Sequence, residues 1–494
     1  MWFTISYIII ILYSIALLMI FIYSLSQLHL LLNYMGARKR KTLAPVISMS
    51  ATCNVPYVTI QLPVYNEKYV MERLLHCVAA IDYPKNKLEI QVLDDSTDDS
   101  VLETANLITE LQQTGLDIQH IRRRNRINFK AGALKEGLTT AKGELIAIFD
   151  ADFLPQPDWL NKTVGYFKDP EIGVVQTRWG HINRDYSLLT KVQAFALDAH
   201  FTLEQSGRNA NGYFINFNGT AGIWRKETII DAGNWEGDTL TEDLDLSYRA
   251  QLKGWKFKYL EDVVTPAELP VVVSAARSQQ FRWNKGGAEN FIKMFGRIVK
   301  SKTIGFSTKL NGLLHLANSS MFFFMLILSI LSIPVLYIQN SYPEFSGLLK
   351  LNTVFISSTV ILFICNWVVF KNLNGNTVMN FARYVKMFFS FFSVAMGFSL
   401  HNMLAVAEAY TGKKSEFIRT PKFNISNLTD SWKGNKYLTT KLPFNTILET
   451  FFIGYFAFGL YSAFYLGDFS QVPFHLMLFT GYFYIVYNSI KTSG

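Results

Sequence analysis

The sequence predicts an α/β domain on a mixed, mostly parallel sheet, inserted between transmembrane α-helices. Three observations carry that expectation. Short apolar runs alternate with helical stretches from Tyr57 to about Arg178. An apolar run over residues 2–32 precedes them, and further long apolar runs follow residue 305. Acidic pairs stand directly after apolar runs of the middle section, at Asp94-Asp95 and Asp150-Ala151-Asp152.

The first segment, 1–36, is long enough to cross a hydrocarbon core of ~30 Å. It ends at Arg38-Lys39-Arg40-Lys41. A secretory signal peptide carries its charge before a shorter apolar core. Here the charge follows, which reads as a retained helix with its C-terminal end in the cytoplasm. Residues 54–283 form the expected cytoplasmic domain. Within it 58–62, 88–93 and 145–149 read as strands, and 67–81, 97–113 and 130–141 as helices. This alternation argues for βαβ units around a mostly parallel sheet. Ligands of such sheets bind beyond the carboxyl ends of the strands. Asp94-Asp95 and Asp150/Asp152 are therefore expected to face one crevice.

Residues 284–305 read as a basic amphipathic helix. Phe291, Met294, Phe295, Ile298 and Val299 recur at helical spacing, with Lys293, Arg297, Lys300 and Lys302 among them. That pattern suits the headgroup layer; an amphipathic helix packed on the preceding domain is the bland alternative, and the membrane segment that follows favours the interface. Two transmembrane helices are expected within 309–371 and two within 446–490. Between them, segment 384–410 joins two basic loops. One carries Lys371, Arg383 and Lys386. The other, 411–445, carries Lys413, Lys414, Arg419, Lys422, Lys433, Lys436 and Lys441. Both belong in the cytoplasm, so the segment between them cannot cross once. It also bears Ser390, Ser393, Ser399, His401, Asn402 and Glu408, which lipid tolerates poorly. It is expected to lie along the interface or to re-enter. The result is a multi-pass integral membrane protein of a bacterial-type inner or plasma membrane. It has five spanning helices, an outside N-terminus, an inside C-terminus and a cytoplasmic α/β domain.

Composition agrees. Half of the 494 residues are hydrophobic, 40 of them Phe, and mean hydropathy is +0.16, as in a chain divided between lipid and water. The net charge of +9 would suit nucleic acid or basic cytoplasmic loops beside a bilayer. No nucleic-acid-binding motif is present, so no nucleic acid partner is expected. Cys53, Cys77 and Cys365 are spaced for neither a metal knuckle nor a disulfide framework.

The chemistry lies in four places. Asp150 and Asp152, alternate residues of an extended turn, can hold one hard divalent cation whose other ligands are water and phosphate oxygens; the same pattern also caps turns. Asp94-Asp95 can cap the helix that follows or hold a ribose or base edge. Tyr65, before Asn66-Glu67, can stack on a base or fill the core. Lys130 opens a helix behind Arg122-Arg123-Arg124-Asn125-Arg126, a setting for an anion such as a diphosphate, or a solvated basic loop. In Thr241-Glu242-Asp243-Leu244-Asp245 a carboxylate can take a proton from an attacking hydroxyl. Asp243 is the expected base, with Glu242 and Asp245 as competing choices. Gln279 and Arg282, one helical turn apart, share a face, and Arg282 can make a forked contact to phosphate. Trp283 offers a flat face for a pyranose or an anchor at the interface. Aspartates followed by Q-x-x-R-W, ahead of membrane segments, point to a membrane glycosyltransferase.

These residues resemble the processive branch of glycosyltransferase family 2, over nearly the whole chain. The stretches 92–98, 130–135, 149–153 and 217–222 look especially like plant cellulose-synthase-like enzymes that make mannan and glucan backbones. The resemblance implies a GT-A-type nucleotide-sugar-binding domain coupled to a membrane channel. It implies nucleotide contacts from Tyr65, Glu67, Asp94, Lys130 and Asp150, and Mg2+ or Mn2+ on Asp150 and Asp152. It makes Asp243 the base, places Asn218, Gly219 and Thr220 beside the acceptor, and has Gln279, Arg282 and Trp283 close the site. Phe417-Ile418-Arg419-Thr420-Pro421-Lys422 resembles the family's gating loop, F-x-V-T-x-K, with Arg419 in place of Val. The chain ends at Gly494 without a cyclic-dinucleotide-binding domain, so control of that kind is not expected within it.

The reading that follows is an inverting, processive β-glycosyltransferase. It would take a hexose from GDP-mannose or UDP-glucose, extend a β-1,4-mannan, glucomannan or β-glucan, and pass it through the bilayer. A single-transfer enzyme with a lipid acceptor, like ceramide glucosyltransferase, shares the aspartates and Q-x-x-R-W. A transporter would not need a large βαβ domain with converging carboxylates, and an inactive scaffold would be expected to have lost at least one acidic cluster, where none is missing. Accessory subunits are not readable.

Overall fold

The computed structural model describes residues 2–41, 55–438 and 441–493; Cys53, the domain start at residue 54 and the side chains of Arg40 and Lys41 lie outside that description. Seven strands form one sheet in the order β3-β2-β1-β4-β6-β5-β7. They are β1 (Val58–Val64), β2 (Leu88–Asp94), β3 (Asp117–Arg122), β4 (Leu145–Ile148), β5 (Ile172–His181), β6 (Gly222–Arg225) and β7 (Lys256–Ala267). β1 to β4 are mutually parallel, as are β5 and β7. β6 runs antiparallel to β4 and β5. Every residue of β2 and β4 is buried, as strands covered on both faces require. Even Glu89 on β2 is fully buried. Its carboxylate accepts from Thr59 Oγ1 at 2.6 Å and from the Lys142 backbone N–H at 2.9 Å, so it is not orphaned.

Register places the site. Val64 pairs with Asp94, Gln61 with Ile148, and Ile148 with Gly222. The segments after β1, β2 and β4, and the one before antiparallel β6, therefore leave the same sheet edge. Two helices start later than their periodicity suggests, whereas the one expected over 130–141 is Phe129–Thr140. The helix expected over 67–81 is Met71–Ala79, because Asn66 turns the chain at φ +54°. The helix expected over 97–113 is Ser100–Gln113. Asp98 accepts from both the backbone N–H and the hydroxyl of Ser100, and that local turn displaces the first helical residues.

The helix Val273–Lys300 runs for 28 residues through the expected boundary at 283/284 and carries Q-x-x-R-W in its first half. In its second half Met294 and Ile298 pack with Phe214 and Tyr248 of the α/β domain and with Leu316 of the following helix, Phe306–Leu316. Ile292, Phe295 and Val299 are exposed. One face thus belongs to the domain and another is left bare.

Among the described residues, Phe3–Lys39, Phe306–Ser341, Pro343–Asn374 and Asn445–Leu466 are long and apolar enough to cross a membrane. Val378–Gly397 and Ser399–Tyr410 pass the same test together, bent by 50° at their junction, as a broken span or a re-entrant pair. The C-terminal helix Val472–Ser493 is not among those that pass. His475, Tyr482, Tyr484, Tyr487 and Asn488 lower its hydropathy. It lies against Val378–Gly397 and Asn445–Leu466.

Candidate active site

One cleft at the sheet edge gathers most of the singled-out side chains. Tyr65, Glu67, Lys130, Asp150, Asp152, Asn218, Gly219, Asp243, Gln279, Arg282, Trp283, Phe417, Thr420 and Lys422 all line it. Two others stand behind its wall. Asp94 is buried, accepts from the Ser96 backbone N–H and pairs with His120 at 2.8 Å. Burial alone would raise its pKa, but these partners hold it low. The neighbouring Asp95 lines the cleft instead, gripped by the Arg123 guanidinium through two nitrogens. Thr220 is also fully buried. Its hydroxyl accepts from the Asp150 backbone N–H at 2.9 Å and so fixes the turn that presents Asp150 and Asp152.

Lys130 sits at the centre. Its Nζ is 2.5 Å from Asp150 Oδ1 and donates to Gly219 O at 2.8 Å. Gly219 has φ +77°, and a Cβ there would lie 3.0 Å from Asp243 Oδ2. Glycine is needed both for that backbone conformation and for that approach. Glu242 and Asp243 open the helix Glu242–Leu252, where the backbone dipole favours carboxylates. Burial raises the pKa of both, and for Asp243 the adjacent Glu242 charge adds to the rise while Lys130 opposes it. A carboxylate raised in this way is suited to accepting a proton near neutral pH.

The segment 413–438 folds over the cleft. Phe417 stacks on Phe129, with ring centroids 5.8 Å apart, and lies under the Arg282 guanidinium at 4.8 Å. Arg282 Nη1 donates to Ile418 O at 2.5 Å. Arg419 pairs with buried Glu67 at 2.5 Å, and Lys422 with Asp152 Oδ2 at 2.8 Å. Burial pushes the Glu67 carboxyl up to about 7 against the pull of Arg419 and Lys422. The Val-to-Arg departure at 419 thus supplies a cation to a site carboxylate. Farther along, Tyr437 donates to Asp98 and Lys436 pairs with Asp98 and Asp99, tying the segment to the β2 edge.

Asp152 Oδ1 is buried without a hydrogen-bond partner, while Asp150 is about one-third exposed. Hard oxygen donors of this kind fit Mg2+ or Mn2+. Lys130 and Lys422 take up the neighbouring oxygens. A second acidic group, Glu236, Asp238 and Asp245, also has metal-like spacing, but Lys293 Nζ lies 2.7, 2.8 and 2.8 Å from the three. Arg249 adds a second cation to Asp245. Asp245 is therefore neutralised away from the cleft and drops out as a competing base.

Arg126 reads in the sequence only as part of a basic run suited to an anion, and Glu268, Trp179 and His181 carry no motif, yet all four line the cleft. Arg126 places its guanidinium 3.4 Å over the Tyr65 ring, covering the face expected to meet a base. Glu268, at the end of β7, lines the cleft and accepts from the Phe423 backbone N–H at 2.8 Å. Trp179 and His181, from the end of β5, also line it; the Trp179 ring lies 6.4 Å from Trp283. The clue in the sequence was the run Arg178-Trp179-Gly180-His181 at the close of an apolar stretch.

Residues 56–286 match a family model described as glycosyltransferase like family 2. Glucomannan 4-beta-mannosyltransferase 2 of Arabidopsis thaliana is 43% identical over 261 residues, 52% of this chain and 49% of that protein. A probable glucomannan 4-beta-mannosyltransferase 3 of Oryza sativa subsp. japonica is 36% identical over 352 residues, 67% of this chain and 62% of that protein. The chain spans about half the length of the curated relatives it matches. Among solved structures, the mannosyltransferase PcManGT from Pyrobaculum calidifontis, in complex with GDP-Man and Mn2+, superposes with a TM-score of 0.54. It shares 20% identity, and the match covers 82% of this chain and all of that one. That likeness establishes a GT-A-like glycosyltransferase fold.

Proposed function

We propose that this chain, whose residues 56–286 match a glycosyltransferase family 2 model on a GT-A-like fold, is an inverting, processive β-glycosyltransferase. It transfers a hexose from a nucleotide sugar to a growing β-1,4-linked mannan or glucomannan and passes the polymer through its own membrane helices. The observation that carries the reading is the meeting of Asp243, Lys130, Asp150, Arg282 and Trp283 on one cleft. GDP-mannose is the preferred donor, since the curated relatives are named as mannosyltransferases; UDP-glucose is the alternative. The cleft faces the cytoplasm in this reading.

In the transfer, Asp243 accepts the proton of the acceptor hydroxyl as that oxygen bonds to the anomeric carbon. The bond from that carbon to the diphosphate oxygen breaks, and the configuration inverts. Lys130 and Arg282 offset the charge gathering on the leaving diphosphate. A divalent cation held by Asp150 and Asp152 would supply further neutralisation there. Trp283 packs against the acceptor sugar, and the Phe417–Lys422 segment exchanges its carboxylate partners for phosphate oxygens as donor enters. In this reading Glu67 and, in place of the buried Asp94, Asp95 would contact the nucleotide.

The test is full-length protein in nanodiscs with radiolabelled GDP-mannose and UDP-glucose, products sized by gel. A ladder of polymer supports the reading. A single sugar on lipid replaces it with the lipid-acceptor alternative, and no turnover of either donor ends it. Asp243→Asn should lower transfer by about 10³-fold or more while nucleotide binding survives; unchanged turnover removes Asp243 from the role of base.

A further inference from the structure

Behind the cleft a short chain of polar side chains ends on Asn218. The helix Leu188–Ala199 gives way to a π-helical turn, His200–Gln205. Turns of that kind insert an extra residue and recur at functional sites. Here the turn directs three side chains inward. His200 Nδ1 is 2.9 Å from Glu204 Oε2, and His200 Nε2 is 3.1 Å from Asn218 Nδ2. Gln205 Nε2 donates to Asn218 Oδ1 at 2.6 Å. The far end is anchored as well. Gln27, on the N-terminal helix Trp2–Lys41, donates to Glu204 Oε1 at 2.8 Å, and Arg208 to Oε2 at 3.3 Å.

The directions of these bonds are fixed by chemistry. A carboxylate only accepts, so Glu204 requires the proton on His200 Nδ1. A ring that carries no second proton then has only a lone pair at Nε2, which accepts from an Asn218 amide N–H. From the other side, Gln205 Nε2 also donates to Asn216 O at 2.8 Å, so the Gln205 amide cannot turn over without losing that bond. It therefore donates to Asn218 Oδ1. Both routes give the same orientation of the Asn218 amide. One N–H of that amide is used by His200, and the other is left for the cleft that Asn218 lines.

We propose that His200 and Glu204 are positioning residues that aim the free N–H of Asn218 at an oxygen of the acceptor sugar. The inference rests on the glycosyltransferase reading above. It adds that one hydrogen-bond donor, oriented from a π-helical turn and anchored to a membrane helix, decides whether the sugar goes to the acceptor or to water. Trp283 supplies an apolar face with no preferred rotation of the ring, whereas a directed N–H selects one rotation.

The test follows radiolabelled donor into polymer and into free hexose with full-length protein in nanodiscs. His200→Leu should lower the ratio of polymer to free hexose about tenfold, the size of one hydrogen bond, with donor KM unchanged. His200→Gln, whose side-chain oxygen can accept the same Asn218 N–H, should restore the ratio to within about threefold. Adding Asn218→Ala to His200→Leu should lower it no further. A ratio unchanged in His200→Leu overturns the proposal. So does a parallel fall of both products that His200→Gln does not repair, since that marks a merely structural role. If His200→Leu yields no folded protein, Asn218→Ala alone reads the same partition, and an unchanged ratio there overturns it. Absence of any donor turnover in the unaltered protein ends the glycosyltransferase reading instead, and this inference with it.

Discussion

Asp243 and Asp245 stand two residues apart in the first turn of one helix and meet opposite fates. Asp243 faces the cleft beside Glu242, Asp150 and Lys130, and burial with the nearby Glu242 charge raises its pKa. Asp245 faces away, with Arg249 at 2.6 Å and Lys293 at 2.8 Å. Its neighbours Glu236 and Asp238, which burial alone would raise, are held below the usual range by Lys293. The first group belongs to a cleft in which Glu67 and Asp152 take their counter-charge from Arg419 and Lys422 on a distant segment. The second is closed by cations of its own surroundings. Acidic spacing alone does not separate a site from a structural cluster; what separates them is whether the counter-charge can be exchanged.

That contrast can be broken most forcefully at Asp152. Asp152→Asn removes the carboxylate whose second oxygen is unpartnered. It should lower transfer about 10²–10³-fold and weaken binding of Mn2+, measured by titration of the full-length protein. Lys293→Met acts on the other group. It leaves fully buried Asp245 with only Arg249 and should cost about 3 kcal/mol of stability, read as a lower unfolding temperature, with transfer per folded molecule unchanged. A Lys293→Met protein of normal stability would mean the second group is not closed as described.

Glu242→Gln probes the cleft more gently. A protonated Asp243 cannot accept a proton, so activity falls as pH drops through its pKa. That pKa is raised, so the acid limb lies above the ordinary Asp range of about 4. Removing the Glu242 charge takes away one cause of the rise, and the limb should move to lower pH by about one unit. A limb that stays in place would show that Glu242 does not set the proton affinity of Asp243.

Local motifs were legible and their neighbours were not. Asp150/Asp152, Lys130, Asp243 and Q-x-x-R-W each announce themselves over a few residues; the end of β4 carries Asp150 and Asp152 to the sheet edge, and the other three groups reach it from helices. Asp94 and Asp95 could not be told apart, because which one turns inward depends on His120 and Arg123 from the next strand and its loop. β6 reads Gly-Ile-Trp-Arg, without the continuous apolar run that marks the equally short β4. β5 pairs with β7 through two register shifts, which break alternation. The π-helical turn at His200–Gln205 likewise departs from the 3.6-residue period that identifies helices. The long apolar segments were plain, but Val472–Ser493 is rich in aromatic hydroxyls, and its place beside other helices comes from packing rather than hydropathy.

The smallest effect is the most discriminating for the metal. Asp238 is half exposed and shares Lys293 with two other carboxylates. Asp238→Asn leaves Lys293 paired with Glu236 and Asp245, so the change in stability should stay within about 0.5–1 kcal/mol. Transfer and Mn2+ binding should match the unaltered protein, because nothing in that group reaches the cleft. If Asp238→Asn instead abolished Mn2+ binding while Asp152→Asn spared it, the cation would belong on Glu236, Asp238 and Asp245 with Lys293 displaced. The carboxylates of the cleft would then be balanced by its lysines and arginines alone.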